Sequence, residues 1–310
     1  MNSNNNGAKF AFFYLLSLVA LIFMALSTGM IVFQIINKNL VDIINQYQGR
    51  FSDDALKFAI SALIISTPLY YLTASQIMKN LKSGALDRDS GIRKWLTYLI
   101  LLITSVVALG WLIGVINTFL DGDLTNKFIL KAITAIFIAA ATFTFYFYDI
   151  KRDKVNKPDN VIKAYLYGSL IIIIAVFVAS LFTVESPTQT RNRKIDEAIL
   201  NSFSQVNNEM DMYFEDYGKL PASLEILSDE YRFLKSQDLV DPATKQAYEY
   251  KIVDEKTFEL CANFRTSNLD DEEESYKYMM DTSRHDIGYQ CLKNKIRNED
   301  NEKMPMRVTQ

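Results

Sequence analysis

Apolar residues along the chain fall into two regimes. From Phe10 to Val184 they form five long runs separated by short polar segments, and beyond Val184 they recur at intervals among charges. A helix that crosses a bilayer satisfies its backbone hydrogen bonds internally and needs about 20 apolar residues at about 1.5 Å each. The runs at 10–36, 55–78, 95–120, 128–148 and 161–184 meet that condition. None carries a charge near its middle. Lys57, Lys131 and Lys163 stand within about a turn of a run's end, where the stem stays in hydrocarbon while the ammonium reaches the headgroups. Trp95, Tyr98, Tyr146, Tyr148, Tyr165 and Tyr167 also cluster near ends, as interfacial aromatics do. The pattern predicts an all-α polytopic membrane bundle of five transmembrane helices over residues 1–184. The first run is too long for the apolar part of a signal peptide and has no small-residue cleavage pattern after it, so it reads as a retained span.

Basic residues give the bundle an expected orientation. Lys79, Lys82, Arg88, Arg93 and Lys94 lie between the second and third runs, and Lys151, Arg152, Lys154, Lys157 and Lys163 between the fourth and fifth. With Lys9 these make 11, against 5 in the alternate loops: Lys38, Arg50, Lys57, Lys127 and Lys131. The bias predicts a multi-pass plasma-membrane protein with a cytoplasmic N-terminus. An odd number of spans then places everything after Val184 outside the cytoplasm.

Two features inside the spans stand out. Pro68 removes a backbone donor from the second helix, which favours a kink or hinge there. Gly110 and Gly114 have the GxxxG spacing that permits close helix contact. Both residue types are common in membrane helices, so packing is the plainer reading, with gating or a dimer face as the alternative.

Beyond Val184 the period changes. Ile195, Ile199, Phe203, Val206, Met210, Tyr213 and Tyr217 recur at steps of three and four, one face of an amphipathic helix of about seven turns. Arg193, Asp196, Glu197, Asn201, Gln205, Asn208 and Glu215 fall on the opposite, polar face. Glu185 to Thr188 reads as the helix break, Thr190 as the next N-cap and Gly218 as the left-handed terminator. Leu220 and Pro221 lead into a short helix containing Leu224 and Leu227, and Asp241–Pro242 is a turn. Tyr248, Tyr250 and Ile252, then Phe258, Leu260, Ala262 and Phe264, alternate with polar residues as a hairpin does. The expectation is a small α+β domain over 185–297 and a disordered tail over 298–310.

Composition sharpens this division. The whole chain has 310 residues, a net charge of -3 and a mean hydropathy of +0.03. Residues 1–184 hold 16 Lys and Arg against 10 Asp and Glu, net +6, while the remainder holds 17 against 26, net -9. One histidine and two cysteines leave little material for zinc sites or histidine-based catalysis. No catalytic set, cofactor site or metal site is expected. Cys261 and Cys291, outside the membrane, are expected to form a disulfide rather than to remain as two reduced thiols, closing a loop worth roughly 3 to 4 kcal/mol. The disulfide would pin a weakly structured tail to the sheet, with His285 in a structural role nearby. The acidic run from Asp270 to Glu274 offers oxygen ligands, but consecutive acids do not surround a point and no EF-hand spacing is present, so a solvated loop is the better reading than a calcium site.

Two resemblances follow from particular residues. The segments Tyr14–Leu21, Arg93–Leu99, Leu120–Thr125 and Lys127–Lys131 resemble the DUF5671 family of polytopic membrane domains, over roughly residues 10–150. That resemblance implies a membrane domain without an assigned activity. The family pattern carries an acidic residue after the third-helix glycine, where this chain has Trp111, so the resemblance implies no carboxylate pathway there. The long helix ending in Tyr217–Gly218, the Leu220–Leu224 segment, Asp241–Pro242 and Tyr248–Tyr250 are similar to the soluble domain of type II secretion pseudopilins. This second resemblance implies a pilin-like extracytoplasmic fold, and neither filament assembly nor a calcium site.

The expected function is a non-enzymatic membrane anchor that displays a disulfide-closed, pilin-like head to an envelope or surface protein. The alternative is a small-solute transporter, channel or membrane sensor in which the bundle acts, with Ser61, Ser66, Thr67, Tyr70 and Tyr71 of the second helix as polar lining. The lipid bilayer is the expected partner in either case, self-association is open, and nucleic acid is not expected.

Overall fold

In the computed structural model, residues 4–40, 50–84, 86, 90–152, 159–230, 234–269 and 283–296 are described. The chain separates into two compact units, Met1–Val184 and Glu185–Gln310. The acidic run 270–274 and the tail 298–310 lie outside the described residues.

The first unit contains five helices long and apolar enough to cross a membrane: α1 (Asn4–Asn39), α2 (Asp53–Lys82), α3 (Gly91–Leu120), α4 (Asn126–Lys151) and α5 (Asn160–Leu181). Three of them start at a side-chain cap, which satisfies an amide that the helix leaves open. Ser52 accepts from the Ala55 amide at 3.2 Å, Thr125 from Phe128 at 3.3 Å and Asp159 from Val161 at 2.8 Å. α1 and α2 pack most extensively, and α3 and α4 form the other close pair. Ser17, Ala20, Leu21, Met24, Ile31 and Gln34 make the buried stripe of α1, opposite Leu56, Ala59, Leu63, Ser66, Tyr70 and Thr73 of α2. At one end the Ser52 amide donates to Gln34 Oε1 at 2.8 Å, fixing the antiparallel register. Leu26, Ile65, Leu72, Leu120 and Phe182 point outward, as large apolar side chains do when lipid is the solvent.

The second unit is built on α6 (Pro187–Tyr217), followed by α7 (Leu224–Glu230), a short 3-10 turn at Ser236–Leu239 and three strands. Helix α6 begins earlier than the Thr190 cap would allow. Ser186 is the N-cap, accepting from the Gln189 amide at 3.2 Å, and Pro187 occupies the first turn, where its missing N–H has no helical partner to lose. Gly218 ends the helix in the left-handed region at φ 66°.

The sheet has the order β1 (Glu249–Asp254), β2 (Thr257–Phe264), β3 (Gly288–Lys295), antiparallel throughout. The third strand departs from the expected hairpin with a loosely attached tail. β3 pairs with β2 along its whole length, and Cys261 and Cys291 are directly opposed in that register and disulfide-bonded. Phe258, Leu260, Ala262 and Phe264 of β2 are buried against Ile199, Phe203, Val206 and Met210 of α6 and Leu227 of α7. Two residues leave their expected faces. Tyr217 is 51% exposed, whereas Asp196, assigned to the polar face, is 2% exposed.

Candidate functional site

A partly open cavity of about 70 Å³ lies between α1, α2, α3 and α4. Its walls are largely apolar, from Leu18, Ile77, Leu81, Leu96, Ile100 and Phe145, and its polar lining converges from all four helices: Tyr14 and Ser17, Tyr70, Arg93 and Thr97, Tyr146 and Asp149. Arg93 lies two residues into α3 and Asp149 two residues before the end of α4, so the antiparallel α3–α4 pair brings them together. Arg93 Nη2 donates to Asp149 Oδ2 at 2.8 Å and to its backbone oxygen at 3.0 Å. Arg152 extends the network, at 3.5 Å from Asp149 and 3.6 Å from Asp159, and Asp159 also accepts from Tyr148 at 2.9 Å. Burial acts to raise the Asp159 carboxyl, but the Tyr148 hydroxyl and the amides of Val161 and Ile162 outweigh it and hold the group below the usual carboxylate range. The Tyr70 and Tyr146 hydroxyls are 3.2 Å apart, while that of Tyr14 is enclosed without a hydrogen-bond partner among the described residues. From Tyr70 to Leu81, the wall follows α2 for roughly 16 Å at 1.5 Å per residue, about half the hydrocarbon thickness.

None of these groups except Tyr70 was singled out by the sequence as pore lining. Arg93 read as a loop cation, and Asp149, one residue past the run 128–148, was not singled out. A usable signal was present: an arginine opening one apolar run and an aspartate closing the next become neighbours when the two helices are antiparallel. The other residues that were singled out lie elsewhere. Pro68 sits on the exposed face of α2, which runs continuously through it. A Cβ on Gly114 would meet the Phe128 ring at 3.5 Å, whereas one on Gly110 would meet nothing within 4 Å. Among the α2 polar residues, Ser61 is exposed, Ser66 is buried and Tyr71 hydrogen-bonds Ser169 at 2.7 Å.

On the head, polar chemistry gathers around β2's end. Asp196 receives the Arg265 amide at 3.0 Å and both the amide and hydroxyl of Thr266 at 2.7 Å. The Arg265 guanidinium reaches Asp241 at 3.2 Å, and Asp241 also accepts the Ala243 and Thr244 amides at 2.7 Å. Burial works to raise the Asp241 carboxyl, yet those two amides and Arg265 prevail and hold it below the usual carboxylate range. Burial also pushes the Tyr248 hydroxyl up to about 12. His285 stacks on Phe264 with ring centroids 3.8 Å apart, a packing role within the head. Glu259 stands beside Cys261 and Cys291, but sulfur spent in a disulfide lacks the thiolate charge that binds metal. A second opening, about 200 Å³, lies between the turn after Asp241 and the sheet residues Cys261, Asn263 and Tyr289.

Residues 11–146 match the family described as "Domain of unknown function (DUF5671)". The DUF5671 segment lies wholly within the first unit and includes every cavity-lining residue except Asp149. No curated protein and no solved structure matches the chain.

Proposed function

We propose that this is an integral plasma-membrane protein whose five-helix unit anchors a disulfide-closed head outside the cytoplasm, where the head binds an envelope or surface partner without catalysing a reaction. The observation that carries this reading is a head with its own apolar core and a cross-strand disulfide, placed after an odd number of apolar helices. Disulfides persist in oxidising compartments, and the excess of basic residues in alternate loops supports the same orientation. The order of long helix, short helix and antiparallel sheet suits a pseudopilin-like soluble domain. Protease added to intact cells is expected to remove residues 190–297 and leave the spans. Full protection of that segment, with degradation only after permeabilisation, overturns the reading.

A second reading makes the bundle the functional part, and the Arg93–Asp149 pair with its three tyrosines favours it. Ionisable groups enclosed among membrane helices are costly and usually serve a pathway or a sensor. Flux of ions or small solutes through reconstituted protein, abolished by Asp149→Asn or Tyr70→Phe without loss of folding, supports that reading. Unchanged vesicle permeability removes it.

A further inference from the structure

The head cleft shows an unusual balance between charge and free hydrogen-bonding capacity. Both carboxylates in its wall are already matched. Asp241 is held by Arg265 and two backbone amides, and Glu249 accepts the Tyr289 hydroxyl and pairs with Lys251 at 3.0 Å. The Tyr289 hydroxyl and Lys251 hold the Glu249 carboxyl below its usual range, so it stays ionised and engaged. What the cleft leaves to a ligand is mainly neutral: the exposed side-chain amides of Gln246 and Asn263, the Thr244 hydroxyl and the ring of Tyr289, 56% exposed, with the Lys251 ammonium 5.8 Å from its centroid.

Each ligand class meets this lining differently. An ion would meet charges that are already paired and so gains less here than a neutral hydrogen-bonding group. An apolar group would cover the amides without satisfying them, at about 1 to 3 kcal/mol for each group left buried and unpaired. A ring carrying hydroxyl and acetamido groups fits both kinds of wall, because its polar substituents pair with amides and its C–H face lies against an aromatic ring. The volume of about 200 Å³ is below the roughly 300–1,000 Å³ of pockets for drug-sized molecules, and it suits one unit of a longer chain entering from the side. We infer that this cleft binds an uncharged, acetamido-bearing saccharide unit, with Gln246 and Asn263 reading its polar groups and Tyr289 supporting its face. The inference rests on the extracytoplasmic placement of the head, because such a unit would belong to an envelope glycan.

The test uses the full-length protein in nanodiscs, titrated calorimetrically with the linear tetramer of N-acetylglucosamine. Saturable binding is expected, weakened about tenfold by Asn263→Ala or Gln246→Ala, in line with the loss of one or two neutral hydrogen bonds, and lost in Tyr289→Ala. An unchanged melting profile in the exposed amide variants separates loss of contact from loss of fold. Absence of binding at millimolar sugar, or binding that all three substitutions leave intact, overturns the inference. So does tighter binding of an uncharged extended peptide that the same substitutions abolish, which would make the cleft a peptide site. Protease accessibility in intact cells is read separately. An outside head that ignores the sugar sinks the cleft alone, whereas a sugar-binding head that is inside sinks the anchor reading.

Discussion

Asp149 in the bundle and Asp196 in the head are both withdrawn from solvent, and the protein neutralises them by different means. Asp149 is met by the Arg93 guanidinium from another helix, with Arg152 at longer range. Asp196 is met mainly by backbone: the amides of Arg265 and Thr266, with the Thr266 hydroxyl. The difference follows from the secondary structure around each. Inside a membrane helix the amides are consumed by the i to i−4 ladder, so an enclosed carboxylate there must find a side-chain partner. At the end of β2 the strand ladder stops and leaves amides free to donate to a carboxylate. The bundle meets Asp149 with a counter-charge in hydrogen-bond contact, and the head meets Asp196 mainly with oriented dipoles, the Arg265 guanidinium standing farther off at 3.9 Å.

This contrast breaks most visibly at Arg93. Arg93→Ala leaves Asp149 enclosed without its main partner and is expected to cost about 3 to 5 kcal/mol, read as detergent-induced unfolding of the purified protein. A loss under about 1 kcal/mol would mean that solvent or lipid headgroups replace the guanidinium and that the cluster is not enclosed. The head should respond most to its covalent link. Reduction, or Cys261→Ser with Cys291→Ser, is expected to lower head stability by about 2 to 4 kcal/mol while leaving bundle unfolding unchanged. Asp196→Asn keeps the shape but turns an NH₂ toward amide donors. It should destabilise the head by about 2 kcal/mol, and an effect equal to that of Asp149→Asn in the bundle would erase the difference between the two carboxylates.

Two smaller effects sharpen the comparison through pH. Asp241 has a lowered folded-state pKa, so its contribution is fully present above the ordinary value of 3.8 and is lost as pH falls through and below it. The head should therefore lose stability below about pH 4, and Asp241→Asn should flatten that acid limb. Glu209 has the opposite sign. It is 6% exposed, its Oε2 is enclosed without a hydrogen bond among the described residues, and burial raises its carboxyl. Ionised Glu209 opposes folding at neutral pH, and the penalty fades as the pH falls from the raised folded value toward the ordinary 4.5, below which it is gone. Glu209→Gln is expected to raise head stability at pH 7 by about 0.5 to 1 kcal/mol; no gain would show that water already satisfies the carboxylate.

The two regions were not equally legible in the sequence. Five apolar runs announced five helices because length and apolar composition are local properties, and a spanning helix needs no distant partner to satisfy its backbone. The α6 stripe was legible for the same reason, and Gly218 marked its end. Asp196 was misplaced because periodicity assigns a face by residue type, and a carboxylate is sent to solvent unless a donor set is known to await it. Its donors lie about 70 residues away, at Arg265 and Thr266. β3 was missed because Gly288–Lys295 carries mixed polar residues on an edge strand, where alternation is weak and pairing with β2 supplies the order.

The number of apolar helices and the separation of a basic half from an acidic one were set by the residues alone, because hydrophobic period and charge bias are written locally. Tertiary structure alone decided which charges meet. Arg93 reaches Asp149 across 56 residues, Cys261 faces Cys291 through strand register, and Gln246, Asn263 and Tyr289 share one cleft. Those juxtapositions depend on helix pairing and sheet register, which are set by packing between segments distant in the chain.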